Sequence, residues 1–269
     1  MSYKLSFIGV GNMAKAILRG ILTSDHSPVS QVYLYDVHPE QFEGLLGPSV
    51  SACATLVDAV TASDFVLLAV KPQNYDEVLT AISRIPCSEE KCYISIGAGI
   101  PVSRVSAMTG TPSVIRVLPN VPMLIGRGVS LICRNQQVSD KEFSFVRDVF
   151  SAAGSVMEID ESDMNAMIGV TSSSPAYVFR FIDAMVEGAL AQGLPSEGLL
   201  EAVCDVVVGS ALMLKESADT PSELVSKVAS KGGTTEQALL SLDRGDFDKV
   251  IANAMKACTE RADELGRLE

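Results

Sequence analysis

Basic side chains are scarce in this chain, and histidine is almost absent. Lys and Arg number 21 against 33 Asp and Glu in 269 residues, a formal net charge of −12. Because no broad basic surface is available to follow a phosphate backbone, nucleic acid is not expected as a partner. The two histidines are His26 and His38, and the six cysteines form no CxxC pair. Without metal-ligand spacing no metal site is predicted, and the cysteines are expected to be buried, reduced thiols.

Long apolar runs are also missing. No run reaches the roughly 18 residues that are typical of a membrane-spanning helix. Residues 1–10 enter a strand-like segment directly, without the charged, apolar and cleavage regions of a secretory signal. We therefore expect a protein of the cytoplasm that has no membrane partner.

Short strand-like runs alternate with helical stretches in the first part of the chain. The expected strands cover residues 5–9, 31–36, 65–70, 92–96, 113–118 and 129–133, with a last strand at 155–159. Such alternation predicts an α/β fold, a Rossmann-type doubly wound parallel sheet built from residues 1–161.

The remaining residues, 162–269, lose the strand pattern and carry Ala, Leu, Val and Met at helical spacing. We predict an all-helical second domain, broken near Gly193, Pro221 and the Gly232-Gly233 pair. Its apolar content exceeds what a small bundle buries by itself. A homo-oligomer is therefore expected, with a self-contained bundle as the alternative.

A glycine-rich turn follows the first strand. Gly9 permits a tight turn, Gly11 lets the backbone approach a pyrophosphate, and Ala14 allows close packing of the following helix. This arrangement predicts a dinucleotide site. The expected contacts are Ile8, Gly9, Gly11, Asn12, Met13 and Ala14.

Asp36 ends the second strand, about 20 residues after the glycine turn, where an acidic residue accepts hydrogen bonds from a ribose. A carboxylate there would repel a 2′-phosphate and favour NADH. His38 could instead contact such a phosphate, and Asp36 could serve only as a turn residue. The choice between NADPH and NADH stays open.

Three further strand ends face the same ligand crevice. Residues 69–72 (Ala69, Val70, Lys71 and Pro72) place a loop cation near the cofactor, although Lys71 could be an ordinary surface lysine. Gly97 and Ala98 are small enough for a nicotinamide to approach, or they form a plain turn. Asn120 could hold polar groups of the ligands, or it could act as a turn former.

Neither histidine is placed to act as an acid beside a nicotinamide, which favours a substrate that needs little acid help. An imine qualifies, because it can be protonated near neutral pH and then attracts hydride. The turn from Ser230 through Gly232, Gly233 and Thr234 to Thr235 exposes amides at a helix start, a suitable seat for a carboxylate. A glycine turn with a threonine N-cap would explain part of this pattern.

Five segments together resemble pyrroline-5-carboxylate reductases. They are residues 9–14 (GVGNMA), 69–72 (AVKP), 116–120 (RVLPN), 173–178 (SSPAYV) and 230–238 (SKGGTTEQA). The resemblance implies reduction of 1-pyrroline-5-carboxylate to L-proline with NADPH or NADH, the final step of proline biosynthesis. It also implies a homodimer through the helical domain, an active site shared across the dimer, and assembly into a larger ring.

Carried over by position, Thr235 would be the catalytic residue, bonded near the imine nitrogen, and the amides of Gly233, Thr234 and Thr235 would hold the carboxylate. Ser230, Gly232 and Glu161 are included among the expected substrate contacts.

Some residues depart from the family pattern. Ser172, Ser173 and Ser174 stand where the family has a glycine-rich turn, Lys231 replaces a proline, and Leu56 replaces an asparagine that touches the cofactor. These departures leave open a nucleotide sensor without turnover. A second alternative is a β-hydroxyacid dehydrogenase, a class that shares the plan of a Rossmann domain followed by helices. A β-hydroxyacid dehydrogenase needs a lysine on the first long helix of the second domain. In this chain, no lysine occurs in that helix, and the first one in the second domain is Lys215.

Overall fold

The computed structural model describes residues 3–24 and 27–267, so His26 lies outside the described residues. Its strands are β1 (Tyr3–Ile8), β2 (Val29–Tyr35), β3 (Val50–Ala52), β4 (Phe65–Leu68), β5 (Cys92–Ser95), β6 (Val114–Leu118), β7 (Gly128–Arg134) and β8 (Gly154–Glu158). Its α-helices are α1 (Asn12–Thr23), α2 (Leu56–Ala62), α3 (Tyr75–Ile82), α4 (Val102–Thr109), α5 (Asp140–Ser151), α6 (Glu161–Met167), α7 (Ser174–Ala191), α8 (Leu199–Glu216), α9 (Pro221–Val228), α10 (Thr234–Arg244) and α11 (Phe247–Arg267).

The strands form one sheet in the order β3-β2-β1-β4-β5-β6-β7-β8. The Rossmann-type fold is confirmed, with two corrections. The pair β6 and β7 is antiparallel, because residues 119–127 between them are fewer than the dozen or so that a parallel crossover needs. The sequence pattern also missed β3, an edge strand of three residues that is too short to show a period.

Both faces of the sheet are covered, which explains the uninterrupted apolar strands. All residues of β4 and β5 are buried. One core packs α1 and α5 against the sheet through residues such as Ile17 and Phe150, and the other packs α3 and α4 through residues such as Leu79 and Val105. Because β1, β4 and β5 are parallel neighbours, their carboxyl ends meet along one edge of the sheet.

The chain divides into two compact units, residues 1–173 with 255–269, and residues 174–254. This division differs from the predicted boundary after residue 161. Met164 and Ile168 of the helical run that follows this boundary are buried in the core of the sheet unit, and so is Ala262 of α11. Helical spacing in a sequence shows that a face is buried, but it does not show against which core that face packs.

The second unit contains only helices in its described residues. Thr220 caps α9 through a capping box with Glu223, and the expected breaks near Gly193, Pro221 and Gly232 are all present. Of residues 174–254, Val203 alone is buried. Large apolar side chains are exposed on this unit, among them Phe179, Val206, Val208 and Met213.

The described residues contain no helix that combines the length and the apolar character needed to cross a membrane. They also contain no group of three or more His, Cys, Asp or Glu residues placed to hold a metal ion.

All six cysteines are free thiols, but only Cys92 and Cys133 are fully buried. The other four are partly exposed, so the expected burial of the cysteines is wrong for them.

Candidate cofactor and substrate sites

The glycine turn between β1 and α1 depends on Gly9. Its φ of +93° lies in the left-handed region that favours glycine, and a Cβ there would lie 2.9 Å from backbone atoms of Ala69 and Val70. Gly9 also donates its N–H to Tyr35 O at 2.8 Å. The turn is therefore held against the ends of the neighbouring strands β4 and β2.

Gly11 has a different reason to be glycine. It is the N-cap of α1, with an unstrained φ of −76° and no side-chain cap. A Cβ there would meet no atom within 4 Å, so nothing in the chain itself excludes a larger residue. The space lies beside the N-terminus of a 12-residue helix, whose free amides and dipole attract phosphate. Ala14 is buried against the sheet core, as expected. These residues fit a dinucleotide pyrophosphate.

Asp36 is tied to the backbone around it. Its Oδ2 accepts from the N–H of Val10 at 2.7 Å, and its Oδ1 accepts from the N–H of His38 at 3.0 Å. The carboxylate thus connects the glycine turn to the end of β2, a role that the sequence did not reveal. The exposed His38 imidazole lies 3.4 Å from the Glu40 carboxylate. Contact of Asp36 with a ribose remains a prediction.

The glycines after β5 serve packing. A Cβ on Gly97 would lie 2.7 Å from the ring of Tyr75, and Gly99, at φ +79°, faces the backbone of Ala262 in α11. The Tyr75 hydroxyl donates to Leu68 O at 2.9 Å, and burial raises its pKa to about 12. These contacts explain the small residues without a ligand. After β4, Lys71 is exposed and precedes a short 3-10 helix, Pro72–Asn74.

Asn120, at the end of β6, is buried and bonded on both sides of its amide. Its Nδ2 donates to Thr171 O at 3.0 Å, and its Oδ1 accepts from Val129 N–H at 2.8 Å. These bonds join the loop after β6 to β7 and to the segment that precedes α7. The side chain therefore has a structural role in addition to the ligand contact that the sequence predicts.

Glu161 lies at the start of α6, in the sheet unit. Its Oε1 accepts from the N–H of Val102 at 2.7 Å and lies 3.7 Å from Nη1 of Arg116. Arg116 is buried. The sequence analysis placed it near the end of an expected strand, in the segment 116–120, but did not indicate that its side chain is buried. A buried arginine within a strand is difficult to infer from sequence, because its apolar neighbours along the strand are the same whether its side chain is buried or exposed.

The second candidate site is the turn that precedes α10. Gly232 has a φ of +75°, and its N–H donates to Oε2 of Glu236 at 2.8 Å. The N-cap is Gly233, with no side-chain cap, so the alternative of a threonine N-cap is wrong. Gly233 N–H donates to Ser230 O at 3.0 Å, and its contact with a substrate carboxylate stays a prediction. The first-turn amides of residues 234–236 have no acceptor within the helix.

An apolar cavity of about 330 Å³ lies beside Thr235 within the same unit. Its wall includes Met213, Leu214, Val225 and Leu239, together with Thr235. No described residue hydrogen-bonds to the hydroxyls of Thr234 or Thr235. The arrangement combines free amides and a hydroxyl group with an apolar wall, and suits a small ring that carries a carboxylate.

A Rossmann-type sheet with a glycine turn at a helix N-terminus, followed by a helical unit, is the architecture of a nicotinamide-dependent oxidoreductase. Two family models match the chain. Residues 161–265 match the model described as pyrroline-5-carboxylate reductase dimerisation, and residues 4–99 match one described as NADP oxidoreductase, coenzyme F420-dependent.

Full-length relatives identify the family. The chain is 35% identical to the pyrroline-5-carboxylate reductase of Haemophilus influenzae over 100% of both chains. It is 32% identical to that of Arabidopsis thaliana, over 99% of this chain and 96% of the relative. The chain belongs to the pyrroline-5-carboxylate reductase family.

Solved structures agree with this assignment. Plasmodium falciparum pyrroline carboxylate reductase with NADP bound has a TM-score of 0.89 at 28% identity, covering 98% of both chains. The Streptococcus pyogenes 1-pyrroline-5-carboxylate reductase also has a TM-score of 0.89 at 28% identity, covering 98% of this chain and 99% of that one. The predicted family, fold class, NAD(P)H dependence and imine-reducing activity are confirmed.

Proposed function

We propose that the chain reduces 1-pyrroline-5-carboxylate to L-proline in the cytoplasm, as the final step of proline biosynthesis, with the substrate seated on the turn before α10. The observation that carries this assignment is the start of α10, where free first-turn amides and Thr235 adjoin an apolar cavity. A helix N-terminus stabilises a carboxylate through its amides and dipole.

In this arrangement the amides of Thr234, Thr235 and Glu236 hold the substrate carboxylate. The Glu236 side chain is engaged by the N–H of Gly232, which keeps its carboxylate oriented toward that amide. The protonated ring nitrogen donates to the hydroxyl of Thr235. The protein orients the iminium and supplies no acid, because the nitrogen enters the reaction already protonated.

The glycine turn and the amides at the start of α1 would hold the cofactor pyrophosphate, and Asp36 would face the adenosine ribose. When bound, the cofactor supplies a hydride that makes the new C–H bond at ring carbon C5, while the C=N bond becomes single. Gly9 and Asp36 keep the turn in shape for this ligand, since Gly9 donates to Tyr35 O at the end of β2 and Asp36 accepts from Val10 N–H within the turn.

The active unit is a homodimer through the helical unit, and dimers assemble into a larger ring. Residues 174–254 bury only Val203 in a single chain and expose large apolar side chains, a surface that a second copy would cover. The dimerisation model that matches residues 161–265 supports the same surface. Light scattering coupled to gel filtration tests the assembly, and a monomeric mass would contradict it.

The alternative β-hydroxyacid dehydrogenase is disfavoured by α7, because its residues Ser174–Ala191 include no lysine. Arg180 cannot replace it as a proton donor, since guanidinium does not deprotonate usefully in proteins.

Absorbance at 340 nm tests the reaction. Purified protein is mixed with 1-pyrroline-5-carboxylate and either NADH or NADPH, and proline is measured in parallel. Loss of absorbance with equivalent proline supports the proposal, and the faster cofactor shows the preference. Cofactor binding without turnover would instead identify a nucleotide sensor or a different substrate.

A further inference from the structure

Arg116 is a charged residue buried within the sheet. It lies on β6, opposite Ser95 of β5 and Cys133 of β7, and is only 2% exposed. Burial lowers the pKa of its guanidinium, and the nearby Glu161 opposes that effect. A buried charge is costly unless it is paired, so the groups around Arg116 are needed to pair its guanidinium.

These groups form a continuous chain of polar contacts. Nη2 of Arg116 donates to Asn165 Oδ1 at 2.7 Å, and Asn165 Nδ2 donates to Asp263 Oδ1 at 2.8 Å. On the other side, Nη1 lies 3.7 Å from Glu161 Oε1, which accepts from Val102 N–H at 2.7 Å. The contacts therefore run from α11 through α6 and β6 to the first residue of α4.

Val102 directly follows the segment that we call the β5–α4 loop, residues 96–101. Gly97 of this loop packs on the ring of Tyr75, and Gly99 packs on Ala262. Glu161 fixes the third point, the N–H at the start of α4, where no other acceptor is available within the helix. The loop is thus held at its beginning, middle and end.

The position of this loop relates it to the reaction. Strands β1, β4 and β5 are parallel neighbours, so the β5–α4 loop leaves the same sheet edge as the glycine turn after β1. Ligands of open α/β sheets bind outside that edge. A small change in the loop would alter the wall of the cofactor crevice while leaving the glycine turn unchanged.

We propose that Glu161, oriented by Arg116, is a positioning residue that holds the β5–α4 loop in the shape required for hydride transfer. This inference rests on the proposed reductase function. It replaces the expected role of Glu161 as a substrate contact, since its carboxylate is directed at Val102 and Arg116. The length of the Glu161 side chain determines whether its carboxylate bonds to the Val102 amide and so holds the loop. Its negative charge balances the charge of Arg116.

Two conservative variants separate reach from charge. Glu161→Asp keeps the charge opposite Arg116 but draws the carboxylate back from Val102. Glu161→Gln keeps an oxygen at the same distance but removes the charge. Glu158→Asp, which shortens an exposed glutamate whose side chain has no hydrogen bond among the described residues, is the matched control. Three quantities are measured for the full-length protein: hydrogen exchange at the Val102 amide, the dissociation constant of NAD(P)H by nicotinamide fluorescence, and kcat with 1-pyrroline-5-carboxylate.

We expect Glu161→Asp to exchange the Val102 amide at least tenfold faster, to bind NAD(P)H at least fivefold more weakly and to lose at least tenfold in kcat. Glu161→Gln should stay within threefold of wild type in all three, and Glu158→Asp within twofold. Loss of activity in Glu161→Gln with retention in Glu161→Asp would overturn the inference, as would faster exchange with unchanged kcat and binding. Wild-type turnover tests the reductase function separately. If it were absent, the exchange and binding measurements would still decide whether Glu161 shapes the cofactor edge.

Discussion

The backbone N–H of Val10 donates a 2.7 Å hydrogen bond to Oδ2 of Asp36, which ties the glycine turn to the end of β2. Hydrogen bonds to charged groups contribute about 1.5–3 kcal/mol, so Asp36→Ala should weaken binding of both NADH and NADPH by at least tenfold. Asp36→Asn keeps one acceptor oxygen and removes the charge that repels a 2′-phosphate. It should shift the ratio of dissociation constants toward NADPH.

Fluorescence titration of the two cofactors measures this ratio, with Glu40→Gln as the control. That control removes a nearby exposed charge without touching the bonds to Val10 and His38. An unchanged ratio in Asp36→Asn would show that the carboxylate does not face the ribose.

Gly9 and Gly11 should respond differently to alanine. Gly9→Ala places a Cβ 2.9 Å from Ala69 at a positive φ and should lower the free energy of unfolding by about 2 kcal/mol or more. Gly11→Ala meets no atom of the chain, so its melting temperature should stay close to wild type while cofactor affinity falls at least tenfold. Calorimetry and titration distinguish the two effects. Equal cofactor affinity in Gly11→Ala and wild type would remove Gly11 from the pyrophosphate site.

Thr235→Ala should lower turnover at least tenfold and leave cofactor affinity within a few-fold, because only the contact to the ring nitrogen is lost. Thr235→Ser keeps the hydroxyl and should recover most of the activity. Steady-state kinetics with 1-pyrroline-5-carboxylate provide the measurement. Ser226→Ala, on the exposed face of α9, is the control for loss of a hydroxyl. Wild-type turnover in Thr235→Ala would exclude the residue from the mechanism.

Asn120→Ala removes the hydrogen bonds to Thr171 O and from Val129 N–H, and should cost about 2–4 kcal/mol of folding free energy. Cofactor affinity of the folded variant should change less than threefold if the role is structural. Chemical denaturation and fluorescence titration measure the two quantities. Full stability combined with weak cofactor binding would instead support the ligand contact that the sequence predicts.

The buried thiols should react slowly. Burial raises the pKa of Cys133 to about 12 and raises that of Cys92 well above its ordinary value, so both stay protonated at neutral pH. The thiolate is the reactive form, and native protein treated with iodoacetamide at pH 8 should carry little label at these two positions. Mass spectrometry should find Cys87, which is partly exposed, labelled faster. Equal labelling of all three in native protein would contradict the burial.

Much of the fold follows from local patterns. Short apolar and β-branched runs predict strands, and all seven predicted strands were found with their ends within two residues of the expected positions. The glycine turn and the late Gly-Gly-Thr-Thr segment were also placed correctly, because each requires particular residue types at adjacent positions. Direct sequence comparison supports the same family.

Tertiary contacts decided the rest. Sequence spacing could not show that β7 reverses direction, that α6 and the end of α11 belong to the sheet unit, or that Asp36 bonds to Val10. It also could not show that Arg116 and Glu161 meet in space, 45 positions apart in the chain. A sequence determines local conformation and the burial of a face through residue type and period. The pairing of polar groups, and the core against which a helix packs, depend on residues that are distant in the sequence. Such residues come together only when the chain folds.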